Sequence, residues 1–103
     1  MPCTHTLRRH DRSLIVALAG DFTFAENVTF LQIVDEVVNS GLEAITIDMS
    51  ALATIDSAGL SMLVLLRDRL AKIGGVVTLL HPSPPIARIL EVVSFEQIFT
   101  IVR

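Results

Sequence analysis

The sequence is short of charge, of cysteine and of long apolar runs, and each shortage excludes something. Charged residues make up 18% of the chain, against 51% hydrophobic. No block of five like charges occurs, so an acidic or basic tail is excluded. The formal net charge is −3. Nucleic-acid binding therefore finds no support, because phosphate contacts need clustered Lys and Arg. The one basic cluster, "LRRHDR" at 7–12, is interrupted by Asp11 and reads as a solvated strand end.

Cys3 is the only cysteine, which excludes an internal disulfide and fits a reducing compartment. Unbroken apolar runs such as "MLVLL" are far short of the ~20 residues that span a bilayer. No apolar run follows a basic stretch near the N-terminus, so no signal peptide is expected. The expectation is a cytoplasmic protein with no membrane insertion.

Enzyme signatures are scarce too. There is no Gly-rich phosphate loop, no G-x-S-x-G elbow and no metal pair at helical spacing. Cys3, His5 and His10 lack a fourth ligand in sequence, so no metal site is expected. His81 sits before a proline turn and reads as a surface residue. Ser57 as a nucleophile would need a base, and no histidine is near it in sequence. The reading is a non-enzymatic chain without a cofactor.

What is present is a core. At 103 residues the chain fits one domain, here residues 1–103, and half-apolar composition excludes disorder. A chain of this length has a modest stability margin. "HTLRRHDRSLIVALAGD" reads as two strands around a turn at Asp11-Arg12. "FAENVTFLQIVDEVVNSG" reads as a helix over about 25–40. Phe30, Ile33, Val34, Val37 and Val38 lie on one face, Thr23 and Glu26 form a capping box, and Gly41 ends it. "AITIDMS" is a short strand. A helix over 57–73 follows, apolar almost all round until Arg67, and is stopped by Gly74-Gly75. "VVTLL" is a strand, "HPSPP" a rigid turn, "PIARILEVV" a helix over 85–92, and "IFTIV" a last strand. The order β-β-α-β-α-β-α-β predicts an α/β fold. Its mixed sheet of four or five strands has an N-terminal hairpin, parallel crossovers and three helices.

The stretch "IDSAGLSMLVLL" raises a question of chemistry. Asp56 or Ser57 can cap the helix, a bond worth about 1 kcal/mol. Small Ala58 and Gly59 permit close packing of its first turn. Glycine there costs roughly 1 kcal/mol relative to alanine, which points to something approaching closely, a strand or another protein.

"IDMSALATIDSAGLSMLVLLRDRLAKIGG" resembles the central segment of bacterial anti-sigma factor antagonists, which are STAS domains. "VALAGDF" is similar to the family's second strand and its Gly-acid turn. "VVTLLHPSPPIARILEVVSFEQIFTIV", with Arg88, is similar to its last strand-helix-strand portion. The resemblance implies a partner switch. The unmodified domain would bind an anti-sigma factor, a serine kinase of ATPase-kinase fold. That kinase would phosphorylate Ser57, the only hydroxyl in DSAGL, and a serine phosphatase would reverse it. The partner surface implied comprises Asp21, Thr23, Thr54, Asp56, Ser57, Ala58, Gly59 and Ser61. Many members read Gly-Glu-Leu-Asp where this chain has Gly20-Asp21-Phe22-Thr23, so the second acid is missing. Flanking Thr23, Phe22 and Phe24 belong in the core or at an interface rim. The resemblance also allows an alternative: a fixed STAS adaptor, for example on a transporter's ATPase subunit.

Overall fold

The structure is a computed structural model that describes residues 4–10 and 12–103. Cys3, Asp11 and the side chains of His5 and His10 lie outside what is described, and with them the turn at Asp11-Arg12 and the Cys-His grouping. Strands β1 (Thr4–His10), β2 (Ser13–Phe22), β3 (Ala44–Ile55), β4 (Val76–Leu80) and β5 (Thr100–Val102) form one sheet in the order β1-β2-β3-β4-β5. β1 pairs antiparallel with β2, and every later pair is parallel. Helices α1 (Asn27–Asn39), α2 (Ser57–Ala71) and α3 (Pro84–Val92) make the crossovers.

All three crossovers step the same way across the sheet. Right-handed connections then put all three helices on one face. The burial pattern agrees. Leu14, Val16, Leu18 and Phe22 of β2 are buried, as are Ile45, Ile47 and Met49 of β3 and Val77 and Leu79 of β4. The alternate positions Ser13, Ile15, Ala17, Thr46 and Thr78 are half-buried on the uncovered face. Met62, Leu63, Leu66 and Leu70 of α2 complete the core with Phe30 and Val34 of α1 and Ile86 and Leu90 of α3. The nearly all-apolar α2 is thus accounted for: it packs against α1 and against β3 and β4, and of its large apolar side chains only Leu65 is exposed. No polar side chain is buried among the described residues.

Three local expectations change. The first concerns the start of the first helix. A 3-10 turn, Phe24–Glu26, precedes α1, and the Thr23 hydroxyl makes no cap bond. Only the Thr23 carbonyl contributes, accepting from the Glu26 N–H at 2.9 Å. The Phe24 N–H is taken instead by a carboxylate oxygen of Asp56, at 3.2 Å. The cap comes from another element, so the local capping box does not form.

The second is β3, which runs on without a break through "ALATI" to Ile55. Its register against β2 shifts twice, between Ala17 and Ala19 and between Gly20 and Asp21. Each shift leaves an extra residue on β3, as a β-bulge does. Inward positions therefore become three apart, at Met49, Leu52 and Ile55. The third is the chain end. A 3-10 turn, Phe95–Gln97, precedes β5, which is only three residues long. The Phe95 and Phe99 rings pack at 5.0 Å, which draws Phe99 into the core.

Candidate functional site

β2 and β3 end side by side, and both α1 and α2 begin there. In register, Asp21 pairs with Thr54 and Phe22 with Ile55. The Thr54 hydroxyl donates to the Asp21 carboxylate at 2.8 Å, joining the two strand ends above the last bulge. Asp56 follows in extended geometry, and its N–H reaches the Phe22 carbonyl at 3.4 Å.

Asp56 is the cap of α2. One carboxylate oxygen accepts from the Gly59 N–H at 2.8 Å. The other accepts from the Phe24 N–H. One side chain therefore ties the start of α2 to the turn that opens α1. A carboxylate suits both tasks, because free N–H groups and the helix dipole favour negative charge.

Because Asp56 takes the cap, Ser57 is released from it. Ser57 is the first helical residue and is exposed. Its hydroxyl bonds to no described residue. Ser61, one turn later, is exposed as well, and Ala58 is half-buried. Gly59 is buried. A Cβ there would lie 2.4 Å from the Phe22 carbonyl oxygen and 2.8 Å from Ile55 Cγ1. The close approach that the glycine signalled is made by the end of β2, within the domain.

The structure thus gathers the predicted residues at one end of the sheet. Asp21 and Thr23 are half-buried there, Thr54, Asp56, Ser57 and Ser61 are exposed, and Gly59 lies beneath. His81 is exposed, as expected. Two apolar residues also stand at the surface beside the site, of which the sequence had left Phe24 open between core and interface rim. Phe24, on the turn that Asp56 holds, and Val28, in the first turn of α1, each stand 69% exposed. Val28 falls off the apolar stripe of α1, which was the one sign of it in the sequence. Charge adds a further feature: residues 13–66 contain no Lys, Arg or His, so every charge on β2, α1, β3 and the first half of α2 is acidic.

A family model of the STAS domain matches residues 5–103. The chain belongs to the STAS domain family. A STAS-domain containing protein of Pseudomonas aeruginosa is 29% identical over 90 residues, which cover 87% of this chain and 88% of the relative. Among solved structures, an anti-sigma factor antagonist from Mycobacterium paratuberculosis superposes with a TM-score of 0.86 at 23% identity, covering 98% of this STAS domain and 86% of that chain. The Bacillus anti-sigma factor antagonist SpoIIAA is similar in two forms, both at 17% identity. Its unphosphorylated form gives a TM-score of 0.80 over 97% of this chain and 88% of its own. The phosphorylated form gives 0.77 over 97% and 92%. The fold is that of the anti-sigma factor antagonists. Among the described residues of this STAS domain, no helix is long and apolar enough to cross a membrane.

Proposed function

We propose that this STAS domain is an anti-sigma factor antagonist whose binding is controlled by phosphorylation of Ser57. The observation that carries the reading is the division of labour at the start of α2. Asp56 caps the helix, while the Ser57 hydroxyl is exposed and uncommitted. A kinase can reach that hydroxyl without breaking a bond that holds the fold.

In this reading the unmodified domain binds a regulator of kinase fold in the cytoplasm. The regulator presses against the bare first turn of α2, around Ser57, Ala58 and Ser61. Phosphorylation adds about −1.5 to −2 charges and several acceptor oxygens at that turn. The domain itself tolerates the phosphate. The Ser57 and Ala58 N–H groups have no acceptor among the described residues, and a helix N-terminus favours an anion. SpoIIAA, whose fold is similar, exists in both forms. The partner does not tolerate it, because contact at this turn would bury a dianion beside Asp56. An uncompensated buried charge costs several kcal/mol, and each ~1.4 kcal/mol is tenfold in affinity. A serine phosphatase restores the binding form. The domain is a substrate of the kinase and performs no catalysis itself.

The test is phosphorylation by the candidate regulator and ATP, with the site mapped by mass spectrometry. One phosphate on Ser57, absent from Ser57→Ala, is the expected result. Phosphate on Thr54 or Ser61 alone would refute the assignment. A protein that no such kinase modifies, and that binds a transporter subunit permanently, would be the fixed adaptor instead.

A further inference from the structure

We infer that the cavity between β1, β2 and α1 is a binding site for a small free amino acid with an apolar side chain, its carboxylate held by Arg9 and its ammonium group by Glu36. The inference is independent of the switch reading, and the site lies at the other end of α1 from Ser57.

The cavity has a volume of about 250 Å³. That is below the ~300–1,000 Å³ of sites for drug-sized molecules, so its occupant is small. The floor is apolar. Leu14 of β2, Val37 of α1 and Leu42 just beyond the helix line it, and each is buried. Leu7 and Ile33 form the walls. Leu7 is 48% exposed, because no helix packs closely over the edge strand β1.

Strand register brings Arg9 to this side. Arg9 pairs with Leu14 and Leu7 with Val16, and both partners are buried. The two side chains therefore share the face that carries the helices. The basic stretch "LRRHDR" is split by this alternation, and Arg9 stands at the rim of an apolar cavity.

Charge identifies the ligand. Other opposite charges at this end bond to each other, Arg12 to Glu43 and Arg69 to Asp35, each at 2.9 Å. Arg9 and Glu36 line one cavity, yet no ion pair joins them, and neither side chain has a polar partner among the described residues. An apolar acid would satisfy Arg9 and be repelled by Glu36. An apolar amine would do the reverse. A zwitterion satisfies both, through charge-assisted hydrogen bonds at each end. Two further features place the ammonium group beside α1. The Ser40 hydroxyl donates to the Val37 carbonyl at 2.9 Å, which leaves its oxygen free to accept. The last turn of α1 holds no basic residue, and the partial negative charge of a helix C-terminus favours a cation. The carboxylate then faces β1, and the apolar side chain rests on the floor.

The test titrates L-leucine into the protein and follows amide NMR shifts. Saturable binding with a Kd below about 1 mM is expected. Shifts appear at Leu14, Val37, Ser40 and Leu42, and none at Ser57. Arg9→Gln and Glu36→Gln each weaken binding by about tenfold or more, through loss of a hydrogen bond to a charged group. Both side chains are exposed, so melts of the two variants overlay wild type. Isocaproate, which lacks the ammonium group, and isoamylamine, which lacks the carboxylate, each bind at least about tenfold more weakly than leucine. No saturable binding up to about 10 mM overturns the site. Leucine binding that survives both substitutions overturns the roles of Arg9 and Glu36. Isocaproate that binds as tightly as leucine overturns the zwitterion and makes the ligand an apolar acid.

Discussion

The two ends of the sheet are built to different rules. At the end away from Ser57, charges come in opposite pairs. Arg12 meets Glu43, and Arg69 meets Asp35, each at 2.9 Å. A Cβ on Gly41 or Gly74 there would meet nothing within 4 Å, although one on Gly75 would press on the Leu70 side chain at 2.4 Å. At the Ser57 end the packing is tight under Gly59, and one carboxylate, that of Asp56, serves two elements. The difference teaches where selection for contact shows itself. Paired charges and open turns are what solubility alone asks for. An outward aromatic beside an uncommitted hydroxyl asks for a partner.

The sharpest way to break this comparison is to add one carbon at each end. Gly59→Ala puts its Cβ against the Phe22 carbonyl, which is backbone and yields little. A loss of about 3 kcal/mol is expected, seen as a lower Tm and urea midpoint. Gly41→Ala meets no atom, and only its positive φ of 76° opposes the change. About 1 kcal/mol is expected, as for other residues forced into left-handed geometry. Equal losses would deny the tightness assigned to the Ser57 end.

Next in size is Asp56→Ala, which frees two N–H groups together. About 2 kcal/mol is expected by chemical denaturation. Faster amide exchange should appear at both Gly59 and Phe24. Exchange that changes at Gly59 alone would mean that Asp56 does not hold the α1 turn. Smaller still is Arg69→Ala at the opposite end. Its pair with Asp35 is half in solvent, so the loss should be below about 1 kcal/mol and shrink with salt. A loss equal to that of Asp56→Ala would erase the contrast between the two ends.

Much of this was legible in the sequence, and the failures share a cause. The α2 segment was clear because Met62, Leu63, Leu66 and Leu70 leave little polar face, and such a helix must be interior. The order of strands and helices followed from patterns of that kind. The second half of β3 was hidden because two bulges spoil its alternation, so "ALATI" no longer reads with period two. Thr23 misled because a capping box is a local signal, whereas the carboxylate that holds this turn comes from Asp56, 32 residues on. Phe24 has the same strand parity as buried Phe22. The 3-10 turn breaks that parity and sends the ring outward. At the site itself, the sequence offered Asp56 and Ser57 as equal candidates for the cap. Only the geometry decides between them, and that decision is what leaves the serine available.

The central claim is that a phosphate on Ser57 changes binding without changing the fold. The most direct measurement is the affinity of the kinase-fold regulator for the unmodified protein and for protein carrying one phosphate on Ser57, verified by intact mass. The account predicts a loss of about a hundredfold or more on phosphorylation, from the cost of burying the dianion. It also predicts closely matching melts for the two forms, and unmodified affinity for Ser57→Ala. Equal affinity for the two forms, with phosphate confirmed on Ser57, would contradict it.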